Sequence, residues 1–290
     1  MRFPGPKRLA FWAAKVVLLV LSVAWIVGSA FVRPSFHAIG KPPADLSAES
    51  VLIPSSSGST LHAWFSEAPG GRAAIALFHG VHANRLAMLD RARLFHAAGY
   101  SVLLFDFQAH GESPGEQITF GYRESKDVEA SIAWLHNRLP QAHMGAIGVS
   151  MGGAALALAK HPLQLDAVVL ESAFSCIDLA VENRVTSNIG IAGEAVWRLL
   201  TVQLKPRLGI STDDLRPIDH LADVGCPILI AGGAADPFTV TKETEQMYQA
   251  AKSPKDFWLV PKAAHVDLQH FAPEEYQKHV FTFLNRYLLQ

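Results

Sequence analysis

The sequence predicts an α/β protein: a mostly parallel, twisted sheet with helices on both faces. Three observations predict it. Short apolar runs end in Gly or a turn residue, as strands buried on both faces do: "RAAIALFHG" (72–80), "YSVLLFDF" (100–107) and "MGAIGVS" (144–150). Stretches with helical periodicity stand between them; in "DVEASIAWLHNRL", Val128, Ile132, Leu135 and Leu139 fall on one stripe. The two kinds of segment alternate, and a strand–helix–strand alternation closes only as a parallel sheet covered by helices. With 290 residues, half of them apolar, there is material for one large core.

The elements follow in order. "SVLIP" and "TLHAWFSEA" read as a short antiparallel pair around the turn "SSSGS". The strand at 72–80 comes next, then a helix over 83–99, a strand at 100–107 and the helix from Asp127 to Leu139. "MGAIGVS" is a strand, "MGGAALALAK" a helix and "LDAVVLES" a strand; "CPILIAGG" and "DFWLVP" are two more strands. A closing helix over 272–289 places Tyr276, Val280, Phe283 and Tyr287 on one face. The alternation is interrupted at 173–212, which holds the apolar-rich helix candidate "IAGEAVWRLLTVQLK". A connection of that length within one domain is functional or mobile in most proteins. It is expected to be a cap.

The N-terminus stands apart. Arg2, Lys7 and Arg8 precede an apolar stretch from Leu9 to Val32, broken only by Lys15. At about 1.5 Å per residue the stretch is long enough to cross a hydrocarbon layer of about 30 Å, with Lys15 snorkelling. Residues 1–32 are expected to be a retained membrane anchor, 33–49 a linker and 50–290 the globular domain. Positive charge gathers at the N-terminal side, against Arg33 and Lys41 beyond, which places the domain outside the cytoplasm. Cleavage of a signal peptide at Gly28-Ser29-Ala30, with secretion, is the alternative.

Composition narrows the function. The 25 Lys and Arg against 26 Asp and Glu leave a net charge of −1, so no basic field exists for nucleic acid. The two cysteines, Cys176 and Cys226, lack the spacing of a zinc site or a disulfide framework. No metal and no cofactor is expected.

Chemistry belongs in the loops that follow parallel strands. "GVSMGG" (148–153) sits between a strand and a helix, where Gly148 and Gly152 allow a turn sharp enough to expose Ser150. A serine hydroxyl needs a base, and the base needs an orienting carboxylate. Asp236 follows "CPILIAGG" and His265 follows "DFWLVP", each just past a strand end. Asp236 also fits a turn-forming Asp-Pro, and Glu171 is the next candidate acid. After the strand at 72–80, the amide of Val81 is placed to pair with that of Met151 as an oxyanion hole. His79 is read as a structural ring that fixes its loop. In the cap, Phe174, Ile191, Val196, Trp197, Leu199 and Leu200 supply apolar surface; Phe174, Trp197 and Leu200 are the substrate-binding candidates.

"LFHG", "LLFDFQAHGES", "GYRESKDV", "GVSMGG", "PIDHL", "CPILIAGGAADPF" and "LVPKAAH" occur in this order over about residues 75–270. Together they resemble the α/β-hydrolases, in particular the serine-aminopeptidase-like and monoacylglycerol-lipase-like branch. The resemblance implies the α/β-hydrolase fold, Ser150 as nucleophile, His265 as base and Asp236 as orienting acid, with no cofactor. Gln108-Ala109 stands where many relatives have Arg-Gly, and Lys262-Ala263 where a glycine is frequent; neither touches the triad. Asp106 and His110 are read as structural. The expected activity is cleavage of acyl esters through an acyl-enzyme. A thioesterase, an aminopeptidase-like amidase, or a membrane-tethered binding protein without activity are the alternatives.

Overall fold

The computed structural model describes residues 6–70, 72–190 and 193–289. Helix α1 (Pro6–Val32) is followed by a two-residue strand, β1 (Ser35–Phe36), and then β2 (Glu49–Pro54), β3 (Thr60–Ser66) and β4 (Ala73–Phe78). A 3-10 turn leads into α2 (Leu89–Ala97), β5 (Ser101–Phe105) and the short β6 (His110–Gly111). Then come α3 (Glu124–Arg138), β7 (His143–Val149), α4 (Met151–Leu158) and β8 (Ala167–Glu171). Residues 173–212 carry α5 (Ile177–Ile189), α6 (Gly193–Thr201) and α7 (Leu204–Leu208). The chain closes with β9 (Ile228–Gly233), α8 (Thr241–Ala250), β10 (Lys255–Val260), α9 (Leu268–Phe271), α10 (Pro273–Tyr276) and α11 (Thr282–Leu288).

Eight strands form one sheet in the order β10-β9-β8-β7-β4-β5-β3-β2. The β2–β3 and β3–β5 pairs are antiparallel and the other pairs parallel. β4 and β5, and β4 and β7, are neighbours on opposite sides, so the strand order reverses at β4. A crevice forms at such a point beyond the carboxyl ends of the strands. Every residue of β4, β5, β8 and β9 is buried, as the unbroken apolar runs require. Helices α3 and α4 cover one face, where Val128, Ile132 and Leu135 meet Phe65, Phe78 and Phe105. Helix α2 and the C-terminal segment cover the other, with Phe95, Tyr276, Val280, Phe283 and Leu284. Each such side chain contributes about 1.5–3 kcal/mol by leaving water.

Two expectations are modified. The closing helix is interrupted by a π-helical turn over Gln277–Phe281, although Tyr276, Val280 and Phe283 are buried as its spacing predicts. The segment expected as a linker, 33–49, is held against the domain. β1 pairs with β6, Leu46 is buried, and the Glu112 carboxylate accepts the amides of Ile39 and Gly40 at 3.0 Å. Glu112 also pairs with Arg85, which pairs with the buried Asp106 and lies over the Trp64 ring. A Pro- and Ser-rich stretch shows nothing of this in sequence, because the partners of Ser35, His37, Ile39 and Gly40 lie more than 70 residues away.

A buried ion cluster ties three elements together. Arg91 on α2 donates to Glu171 at the end of β8 (2.6 Å), to Asp267 (2.5 Å) and to the Tyr276 hydroxyl (3.2 Å). Tyr276 in turn donates to Glu171 at 2.7 Å. Burial opposes the Asp267 charge, but Arg91 outweighs it and holds the carboxyl below its ordinary range. Arg91→Ala is expected to lower stability by about 3–5 kcal/mol, because it strands a buried carboxylate. Denaturant unfolding checks this; a loss under about 1 kcal/mol would mean that the cluster contributes little.

Candidate active site

Ser150 stands between β7 and α4 with φ 52° and ψ −116°, a backbone that L residues rarely adopt. Its amide donates to the Glu171 carbonyl at 2.8 Å, which fixes the turn. Glycine is needed on both sides. A Cβ on Gly148 would come within 2.6 Å of Gly153, and one on Gly152 would strike the carbonyls of Phe78 and His79. The turn is therefore pressed against β4, at the reversal of strand order.

The structure brings Ser150, His265 and Asp236 together although they lie far apart in sequence. His265 Nδ1 is 2.7 Å from Asp236 Oδ2, and its Nε2 is 3.1 Å from Ser150 Oγ. The carboxylate holds the ring proton on Nδ1 and so leaves Nε2 to accept from the serine hydroxyl. Asp236 is 4% exposed and fully engaged. Its Oδ1 accepts the amides of Phe238 and Thr239, and its Oδ2 accepts the Thr239 hydroxyl as well as His265. Burial alone would raise its pKa; the hydrogen bond and charge of His265, with those from Thr239, outweigh burial and hold it below the ordinary aspartate range. Glu171, the other candidate acid, is committed to Arg91 and Tyr276.

Val81 and Met151 both border the cavity in front of Ser150. Met151 opens α4, where the first amides of a helix have no partner inside it. A Cβ on Gly80 would lie 3.5 Å from the Ser150 Cβ, so the loop after β4 runs beside the serine. His79 holds that loop. It accepts from the Phe107 amide at 3.1 Å, and its Nδ1 is 2.7 Å from the Gly80 carbonyl. Burial, with His110 nearby, pushes its pKa down to about 3, so the ring is neutral.

The cavity has a volume of about 140 Å³ and is lined mostly by apolar groups. Phe174 and Leu200 line it, as the sequence predicts; Trp197 does not. Among the described residues of α6, those of its last turn meet the cavity, and Trp197 lies one turn earlier, with the Arg198 guanidinium 4.8 Å over its ring. Ile191 lies outside the described residues. Sequence reasoning missed α5, whose Ile177, Val181, Arg184 and Val185 face the cavity. Their spacing of four, three and one was legible, but polar neighbours such as Glu182 and Asn183 obscured the helix. It also missed Gly28, Phe31 and Val32 of α1. Arg184 lies 4.0 Å over the Phe238 ring, and Phe238 stacks edge-on against His265.

Residues 70–218, half of the chain, match the serine aminopeptidase S33 family. The chain belongs to that family of α/β-hydrolases. The hydrolase is 27% identical over 252 residues to the α/β hydrolase domain-containing protein WAV2 of Arabidopsis thaliana, covering 82% of this chain and 79% of WAV2. It is 26% identical over 243 residues to the uncharacterized protein YqkD of Bacillus subtilis, covering 81% of this chain and 78% of YqkD. Among solved structures, the Pyrococcus furiosus esterase Pf2001 superposes with a TM-score of 0.72 at 24% identity, over 89% of this chain and 98% of the esterase. That likeness shows the fold. Membership does not fix the leaving group, which the site must decide.

Proposed function

We propose that the hydrolase is a membrane-anchored serine esterase. The observation that carries this reading is the hydrogen-bonded series Ser150–His265–Asp236, opening on an apolar cavity. Ser150 Oγ attacks the acyl carbonyl carbon while His265 Nε2 takes the hydroxyl proton. The Val81 and Met151 amides receive the oxyanion, and each such donor is worth about 3 kcal/mol in the transition state. Collapse breaks the ester C–O bond, and His265 returns the proton to the departing alkoxide. A water deprotonated by His265 then releases the acid and restores Ser150.

An ester fits this cavity better than a peptide N-terminus does. Recognition of a free α-ammonium calls for a carboxylate, and among the described residues lining the cavity the formally charged ones are Arg184 and Arg207. The test is a panel of acyl p-nitrophenyl esters, acyl thioesters and aminoacyl amides on the full-length protein in detergent, with fluorophosphonate labelling. Preference for the amides would make the enzyme an aminopeptidase. Preference for the thioesters would make it a thioesterase. No turnover and no labelling would favour the binding-protein reading. Within the panel, Leu200→Ala is expected to change relative kcat/KM between short and medium acyl chains by about tenfold, since a few methylenes are at stake. Trp197→Ala, one turn outside the cavity, leaves the profile within about twofold. The reverse order of effects would place the acyl chain elsewhere on α6.

α1 is long and apolar enough to cross a membrane or to serve as a signal sequence, with a mean hydropathy of 2.3 over an 18-residue window within Lys7–Val32. The anchor reading rests on this length, on the excess of positive charge before the span, and on the contacts of α1 with the cap. Arg2, part of that charge, lies outside the described residues. Protease treatment of spheroplasts carrying a C-terminal tag, before and after lysis, tests the topology. Protection of the tag would place the domain in the cytoplasm, and a soluble product starting near Phe31 would indicate cleavage.

A further inference from the structure

Most of α1 is bare, but one stripe of its last turns is covered. Ala24 is 7% and Val32 6% exposed, whereas Ile26 between them is 67% exposed. Ala24, Gly28 and Val32 recur every fourth residue and so share one face. Against that face lies the start of α7. Gln203 Nε2 donates to the Ala24 carbonyl at 3.1 Å, and Gln203 Oε1 accepts from Arg207 Nε at 2.9 Å. Arg207 also donates to Ser29 Oγ at 2.8 Å and to the Trp25 carbonyl, with its guanidinium 3.7 Å over the Trp25 ring. At Gly28 a Cβ would collide with Gln203 Oε1. A small-residue stripe faced by polar side chains that satisfy one another is how helices associate where water gives no hydrophobic drive. Beyond it, the Val32 carbonyl accepts the Ile118 amide at 2.9 Å.

The same end of α1 reaches the reacting centre. Gly28, Phe31 and Val32 border the cavity that Ser150 and His265 border. We infer that the last two turns of α1 form a wall of the acyl site and set which acyl chain lengths it accepts. This rests on the reading of Ser150 as the acylated nucleophile. The acyl carbonyl sits at Ser150, and the distal methylenes lie against Phe31 and Val32. Cleavage at Gly28-Ser29-Ala30 would remove Gly28 and the Ala24–Gly28 face that docks on Gln203 and Arg207, leaving Phe31 and Val32 at a new N-terminus, so the wall is held in place only in the uncut chain.

The test measures kcat/KM for p-nitrophenyl dodecanoate and p-nitrophenyl acetate with full-length protein in detergent micelles. Gly28→Leu drives a side chain between α1 and Gln203 and into the cavity. It is expected to lower the dodecanoate-to-acetate ratio by about tenfold. Phe31→Ala widens the same wall and is expected to move the ratio the other way; it decides the matter should the leucine variant fail to fold. Ratios within about twofold of wild type in the folded variants, or parallel losses on both esters, overturn the inference. A wild-type protein that turns over neither ester and takes no fluorophosphonate refutes the esterase reading itself, a different outcome.

Discussion

Ser150→Ala is expected to abolish ester turnover and fluorophosphonate labelling together, with kcat falling by about 10⁶. The variant keeps the Cβ and the turn, so the Gly148 and Gly152 contacts and the amide bond to the Glu171 carbonyl persist. What goes is the hydroxyl and its 3.1 Å contact with His265 Nε2. Thermal unfolding should therefore shift by no more than about 1 kcal/mol in stability, the value of one hydrogen bond. A residue that served only as a turn former would show the opposite pattern: activity kept and stability changed. Full activity in the variant would remove Ser150 from the chemistry.

Asp236→Asn is expected to lower kcat by about 10⁴ with a much smaller change in KM. Four donors converge on the native carboxylate: two amides at Oδ1, and the Thr239 hydroxyl and His265 Nδ1 at Oδ2. An asparagine has one acceptor oxygen, and the two rigid amides claim it. Its NH₂ group then faces His265, which must turn Nδ1 into an acceptor and carry its proton on Nε2. The imidazole presents a donor to Ser150 and cannot take its proton. Steady-state kinetics beside a fold check by circular dichroism decides the case. A neutral effect would exclude Asp236 as the orienting acid; Glu171, tied to Arg91, is not free to replace it.

Much of this was legible in the sequence because it depends on local pattern. All eight strands of the sheet are apolar runs or alternations bounded by turn residues, and the parallel order follows from their alternation with helices. Ser150, Asp236 and His265 each follow a strand, and the fold collects strand ends on one side of the sheet. Three features were hidden, each for a physical reason. In a helix that is apolar all round, the Ala24–Gly28–Val32 stripe carries no contrast, so periodicity cannot pick out the docked face. In the stretch 33–49, the amides of Ile39 and Gly40 find a carboxylate 72 or more residues away, and no local rule reports such a partner. The misplacement of Trp197 came from weighing size over position: a large ring on α6 met an arginine instead of the cavity.

The clamped stretch 33–49 also changes how a tethered domain would behave at a membrane. A free coil of this length wanders over about 5–6 Å times the square root of its residue number, so a domain on such a coil tumbles and meets the surface in every orientation. Here β1 is stitched to β6, Glu112 grips the following turn, and Leu46 is sunk in the core. The segment works as a strut, not a leash. In the anchored state proposed above, rotation of the domain would be coupled to the tilt of α1, and the mouth of the cavity would keep one position relative to the end of that helix. Reach and local concentration would then be set by helix tilt and bilayer thickness, and the domain would sample its surroundings as a fixed reading head samples a moving track.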